Sequence, residues 1–156
     1  MSKLTENFQI VKGNLLKDFS GDIVAHQVNC KGVMGGGIAR QIKDIYPDTY
    51  MEYNCFCNEE EYLLGKMLIS NTPKYKIANL FGQDGFARGS RQTNYMALES
   101  SLNKLKNYMQ ANFIESVGFP YMIGCGLAGG DTDVVMDMIK RVFKNTYIEV
   151  TFYDYN

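Results

Sequence analysis

The sequence predicts an α/β domain in which helices cover both faces of one sheet, and three observations carry that prediction. Short runs rich in β-branched and aromatic residues alternate with stretches whose apolar residues recur every three or four positions. Two glycine clusters each fall between a strand and the start of a helix, where ligands bind in sheets of this kind. The chain has 156 residues, 46% of them apolar and 21% charged. That suits one core-bearing domain spanning 1–156 and rules out a disordered, collagenous or coiled-coil chain.

Phe8-Gln9-Ile10-Val11 reads as the first strand, and Asp22 to Asn29 (DIVAHQVN) as a buried one. Gly36 to Tyr46 reads as a helix with Ile38, Ile42 and Ile45 on one face, stopped by Pro47. Asp48 is placed to cap a second helix from Thr49 to about Cys57, carrying Tyr50 and Tyr53. Gly65 to Asn71 and Tyr75 to Phe81 form a strand pair across Thr72-Pro73-Lys74. Tyr95, Leu98, Leu102, Leu105 and Met109 make the best amphipathic stripe in the chain. Ser116 to Met122 is another strand. Asp131 or Asp133 caps a last helix bearing Val135, Met138, Ile139, Val142 and Phe143, and Tyr147 to Tyr153 closes as a strand.

Charge and composition exclude several function classes. Sixteen basic residues against seventeen acidic ones leave a net charge of −1. A protein that coats nucleic acid shows a basic surplus, and none is visible here. Any anion bound should be small and held by backbone donors. No apolar run approaches the ~20 residues that span a bilayer, and Met1-Ser2-Lys3-Leu4-Thr5-Glu6 lacks the apolar stretch of an export signal. The expectation is a soluble, cytoplasmic protein with Cys30, Cys55, Cys57 and Cys125 reduced. Cys55-x-Cys57 is too close for a zinc knuckle, and the only histidine, His26, is distant in sequence. No metal or other cofactor is implied.

The two glycine clusters are Gly32-Val33-Met34-Gly35-Gly36-Gly37-Ile38 and Gly124-Cys125-Gly126-Leu127-Ala128-Gly129-Gly130. Ordering glycine costs backbone entropy, so such runs need a reason, either a tight turn or close approach by a ligand. A strand–glycine loop–helix junction points N–H groups outward at the positive end of a helix dipole. Two such junctions facing each other would grip a diphosphate from both sides. The second loop also fits G-x-G-x-x-G through Gly124, Gly126 and Gly129, with Glu149 some distance on as a ribose-binding acid. That opens an NAD-binding Rossmann reading, which its place near the C-terminus opposes. Only one further strand follows it.

With VKGNLL (Val11 to Leu16), AHQVNCKGVMGGGIA (Ala25 to Ala39) and IGCGLAGGD (Ile123 to Asp131) in this order and spacing, the chain resembles the macrodomain family from Phe8 to Tyr155. NLFGQ (Asn79 to Gln83) and RQTNY (Arg91 to Tyr95) resemble small stand-alone members that process ADP-ribose 1″-phosphate or remove ADP-ribose esters. The resemblance implies a three-layer α/β/α sandwich with a mixed, roughly six-stranded sheet, binding ADP-ribose or a derivative. It matches Asn14 and Leu15 to the adenine-proximal segment, with Asn14 accepting through its amide oxygen where many relatives carry an aspartate. Tyr153-Asp154-Tyr155 matches a segment beside the adenosine. Asn29 matches the asparagine at the distal ribose. Gly35, Gly36, Gly37 and Ile38 match the first phosphate and ribose loop. Ile123, Gly124, Cys125, Gly126 and Leu127 match the diphosphate loop, with Cys125 offering its backbone N–H.

Cleavage at C1″ needs a positioned water or nucleophile and stabilisation of developing charge. Related glutamate de-ADP-ribosylases use a lysine and an aspartate at positions that align with Gln83 and Ala128, neither of which can do that chemistry. Asp131 is then the nearest carboxylate for a general base, or simply a helix cap. His26 matches a histidine assigned a catalytic role in ADP-ribose 1″-phosphate phosphatases. Strand alternation puts Ala25, Gln27 and Asn29 on one face and Val24, His26 and Val28 on the other, where a core histidine is ordinary. Arg88 and Arg91 lie on a loop with reach toward a terminal phosphate, or in solvent. Two readings remain: a hydrolase of C1″ derivatives, or a non-catalytic reader of ADP-ribose or ADP-ribosylated protein.

Overall fold

A computed structural model describes residues 7–86, 91–125 and 128–155. Six strands form one sheet: β1 (Phe8–Lys12), β2 (Ile23–Val28), β3 (Met67–Asn71), β4 (Lys76–Phe81), β5 (Ser116–Pro120) and β6 (Glu149–Asp154). Their spatial order is β1-β6-β5-β2-β4-β3. All neighbours are parallel except β3, which runs antiparallel to β4 as an edge strand. The described helices are α1 (Leu15–Asp18), α2 (Gly37–Ile45), α3 (Pro47–Glu59), α4 (Tyr95–Ala111) and α5 (Thr132–Phe143).

Period-two alternation in the buried strands feeds two separate cores, which is what makes three layers. Ile23 and Ala25 of β2 and Ala78 and Leu80 of β4 pack under α4 and α5, against Leu98, Leu102, Val135 and Ile139. Val24, Val28, Ile77 and Phe81 point the other way, against Leu15, Leu16, Ile42 and Tyr53 of α1, α2 and α3. The fold class expected from the sequence is the one observed.

Local departures have local causes. Pro47 begins α3 instead of only ending α2, because a proline at the first helical position gives up an N–H that has no partner there anyway. Tyr46 is the N-cap of that helix, and Asp48 sits inside its first turn. In α2 only Ile42 is fully buried, and Ile45 is 55% exposed. The one-turn helix α1 was too short to leave a periodic signal. Strand β5 ends at Pro120, not Met122, since Ile123 and Cys125 turn back to donate to the carbonyls of Pro120 and Met122. Strand β6 begins at Glu149, not Tyr147.

Parallel strands point their carboxyl ends to one edge, and everything expected to bind ligand follows from those ends. β2 and β5 are hydrogen-bonded neighbours, so the two glycine loops that follow them emerge side by side. Glu149 lies at the amino end of β6, away from that edge. The Rossmann reading fails on this ground.

Candidate functional site

Along the carboxyl edge run three cavities that share lining residues, of about 190, 270 and 320 Å³. The first is bounded by Asn14, Leu15, Gln41, Pro120, Tyr153 and Tyr155. Gly37, Ile38 and Pro120 join it to the second, which lies between the glycine loops against Ile123, Gly124 and Cys125. Gln27, Gly36, Ala39, Gln83 and Ala128 join the second to the third, which ends at Asn29, Val33, Gly35 and Phe86. The result is one continuous cleft from the aromatic end of β6 to Asn29.

The first glycine loop enters α2 through Gly36 as N-cap, with Gly37 at φ +56°. The helix N-terminus therefore opens directly on the cleft, with its dipole favouring an anion. The second loop turns at Gly124 (φ +70°) and closes on itself where the Gly130 N–H donates to the Gly124 carbonyl at 2.8 Å. A polar chain braces it from beneath. The Thr93 hydroxyl donates to the Gly124 carbonyl at 2.6 Å. Gln27 Nε2 donates to Thr93 Oγ1 at 2.9 Å and to Gln83 Oε1 at 2.8 Å. Gln83 Nε2 in turn donates to the Gly85 carbonyl at 2.6 Å.

Asn29 sits one residue past β2, so strand alternation no longer governs it. Its side chain turns toward α3: Oδ1 accepts from the Lys31 N–H at 2.9 Å and the Tyr53 hydroxyl at 2.7 Å. Nδ2 donates to the Val33 carbonyl at 2.8 Å. The residue is both the turn former that the sequence permits and a wall of the third cavity.

Asn14, Leu15, Gly35, Gly36, Gly37, Ile38, Ile123, Gly124 and Cys125 also line the cleft, as expected. Asn14 uses its amide oxygen to cap α1 through the Lys17 N–H at 3.2 Å. Cys125 does not offer its backbone N–H, which is spent on the Met122 carbonyl at 2.8 Å. What it presents is a half-buried thiol, held above its ordinary pKa by burial. Gly126, Leu127 and Arg88 lie outside the described residues.

Two expected catalytic groups are not brought to the cleft. His26 is completely buried beneath α2 and α3, with its Nε2 2.8 Å from Asn79 Oδ1. Burial lowers its pKa to about 4, partly offset by the Asn79 hydrogen bond. It remains neutral at physiological pH. Asp131 is the N-cap of α5, its Oδ1 accepting from the Asp133 and Val134 N–H groups at 2.9 and 3.3 Å. It lines none of the three cavities. Replacing it by alanine is expected to cost about 1 kcal/mol of stability, the usual worth of such a cap. Chemical denaturation measures that; a turnover loss far beyond the loss of folded protein would return Asp131 to a catalytic role. Arg91 stacks over the Tyr95 ring at 4.4 Å and is also absent from the cavity walls.

Sequence reasoning missed Gln27, Thr93 and Tyr53 as parts of the site. Gln27 carried a signal: it is an amide inside an otherwise apolar strand. Among the described residues no group of three or more His, Cys, Asp or Glu is arranged to hold a metal ion. No described helix is long and apolar enough to cross a membrane.

The structure is a three-layer α/β/α fold with two glycine loops facing each other across a cleft at the strand ends. The Macro domain family model matches residues 25–139, and the chain belongs to that family. It is 36% identical to an ADP-ribose 1″-phosphate phosphatase of Saccharomyces cerevisiae, over 67% of this chain and 63% of that protein. It is 42% identical to a DNA ADP-ribosyl glycohydrolase of Mycobacterium tuberculosis, over 85% of this chain and 37% of that protein. The chain thus spans less than two thirds of the length of either relative. The macrodomain of Mycobacterium tuberculosis DarG superposes with a TM-score of 0.82 at 26% identity, covering 96% of this chain and 98% of that one.

Proposed function

We propose that the chain binds ADP-ribose along this cleft and hydrolyses a derivative substituted at C1″ of the distal ribose, a phosphate monoester or an ADP-ribosyl ester. The observation that carries this reading is the order of the three joined cavities. An aromatic-walled space, a space between two glycine loops and an amide-walled space follow one another, as base, diphosphate and second ribose do in the ligand. The activities named for the yeast and mycobacterial relatives support the same class of reaction.

In this reading Tyr153 and Tyr155 flank the adenosine, and the N-terminus of α2 meets the diphosphate. Asn29 and Gln83 face the distal ribose, where their amide N–H groups stabilise charge developing on oxygen as the C1″ substituent leaves. The resemblance, which aligns Gln83 and Ala128 with the lysine and aspartate of the de-ADP-ribosylases, argues against a lysine nucleophile. Water is the attacking group, and its proton leaves on the oxygen of the departing phosphate or carboxylate.

One observation favours a second reading. Among the described residues, the wall of the third cavity holds no carboxylate, lysine or histidine to take a proton. A reader of ADP-ribose or of ADP-ribosylated protein needs none.

One experiment separates the readings: calorimetric titration with ADP-ribose, AMP and NAD, followed by phosphate release from ADP-ribose 1″-phosphate. Micromolar ADP-ribose binding, weaker AMP and NAD binding and turnover lost in Asn29→Ala are expected. Tight binding with no turnover above buffer makes the protein a reader. No binding to any of the three removes the site.

A further inference from the structure

We propose that Tyr53, a residue of α3 outside the cleft, is a positioning residue that fixes which face of the Asn29 amide the ligand meets. This rests on the reading that Asn29 contacts the distal ribose.

An asparagine amide has two acceptor positions on Oδ1 and two hydrogens on Nδ2. Here Oδ1 is filled by two close donors, the Lys31 N–H at 2.9 Å and the Tyr53 hydroxyl at 2.7 Å, with the Val33 N–H further off at 3.5 Å. One Nδ2 hydrogen goes to the Val33 carbonyl at 2.8 Å. A single N–H remains, and Asn29 lines the third cavity. Rotating the amide by half a turn would set its NH₂ against two donors and its oxygen against the Val33 carbonyl. The group offered to the ligand is thereby fixed as a donor, and it selects an oxygen.

Tyr53 is placed to do this, with the Cys57 thiol also beside its hydroxyl. Its ring is fully buried and stacks on Phe81 at 5.9 Å. Its hydroxyl hydrogen is shared between Asn29 Oδ1 and the Asn29 backbone carbonyl at 2.8 Å, so it holds both the side chain and the strand end that carries it. Tyr53 appears in the wall of none of the three cavities. A buried hydroxyl needs a partner, but a phenylalanine would satisfy the core without one.

The test is Tyr53→Phe, titrated with ADP-ribose and with ADP, which ends short of the distal ribose. ADP-ribose affinity is expected to fall about five-fold, the effect of one ordinary hydrogen bond, while ADP affinity is unchanged. In an Asn29→Ala background, Tyr53→Phe is expected to cause no further loss, because the two residues act as one unit. Equal losses for both ligands, or additive losses in the double variant, overturn the positioning role. If Asn29→Ala itself leaves ADP-ribose binding intact, the functional reading fails and this proposal fails with it. Nuclear magnetic resonance of the wild-type protein gives a readout that does not depend on a variant folding. One Asn29 side-chain amide proton should move on ADP-ribose addition and the one held by Val33 should not; movement of neither, or of both alike, counts against the assignment.

Discussion

Gly130→Ala is expected to weaken ADP-ribose binding by about 100-fold or more, equivalent to about 3 kcal/mol. The reason is steric and backbone in origin. A Cβ on Gly130 would overlap the Gly124 carbonyl oxygen, and its next neighbours are the Gly124 carbonyl carbon at 3.3 Å and the Thr93 Cβ at 3.5 Å. That carbonyl cannot retreat freely, since it accepts from the Gly130 N–H at 2.8 Å and the Thr93 hydroxyl at 2.6 Å. Thr93 is itself tied to Gln27. Relief therefore comes by opening the loop at its closing contact, and the middle cavity loses one wall. The thermal midpoint should fall by only a few degrees, as for a loop defect of about 1 kcal/mol. Gly35 lines the far end of the same cleft, but there an added Cβ meets nothing closer than Val33 Cγ1 at 3.5 Å, an ordinary contact, so Gly35→Ala is expected to cost far less. Calorimetric titration of both variants and the wild type decides the matter: Gly130→Ala binding as tightly as wild type would mean that the second loop does not grip the ligand.

That contrast between two glycines also marks what the sequence made legible. Glycine clusters and apolar periods are local signals, so the sheet, the four longer helices and both loops were readable from Phe8 to Tyr153, while the one-turn α1 was not. The adjacency of β2 and β5 agrees with what two facing loops require. The direction of Asn29 was not readable. Alternation assigns it to the face of Ala25 and Gln27, but the strand ends at Val28 and the side chain goes to Tyr53, 24 positions away. Gln27, Thr93 and Gly124 meet across separations of 66 and 31 positions, which no local pattern contains. Asp131 was ambiguous for a different reason: a cap and a general base call for the same residue type. Only the two N–H groups on its Oδ1 distinguish them.

Below pH 6.5 the protein is expected to lose stability steadily on account of His26 alone, by about 3 kcal/mol once pH 4 is reached. The imidazole is fully buried, and Asn79 accepts from its Nε2–H, since the Asn79 amide nitrogen already donates to the Leu68 carbonyl and Ser70 Oγ. Among the described residues nothing accepts from Nδ1, so the imidazolium would be a charge in an apolar layer with one donor unmet. Burial accordingly lowers the pKa from 6.5 to about 4. In the unfolded chain the ring takes up its proton as pH falls through 6.5; in the folded chain it waits until about 4. Between those values the unfolded state binds more protons, and each pH unit shifts the balance toward it by about 1.4 kcal/mol. Above pH 6.5 the contribution is complete and flat. Urea denaturation of wild type and His26→Gln from pH 8 to pH 4.5 tests this directly. Both proteins share the titrating carboxylates, so the wild-type advantage over the variant should shrink below pH 6.5 and stay constant above it. Parallel curves would mean that the ring charges inside the fold. That result would also reopen acid–base catalysis by His26, because a ring able to ionise within the fold has a proton to give.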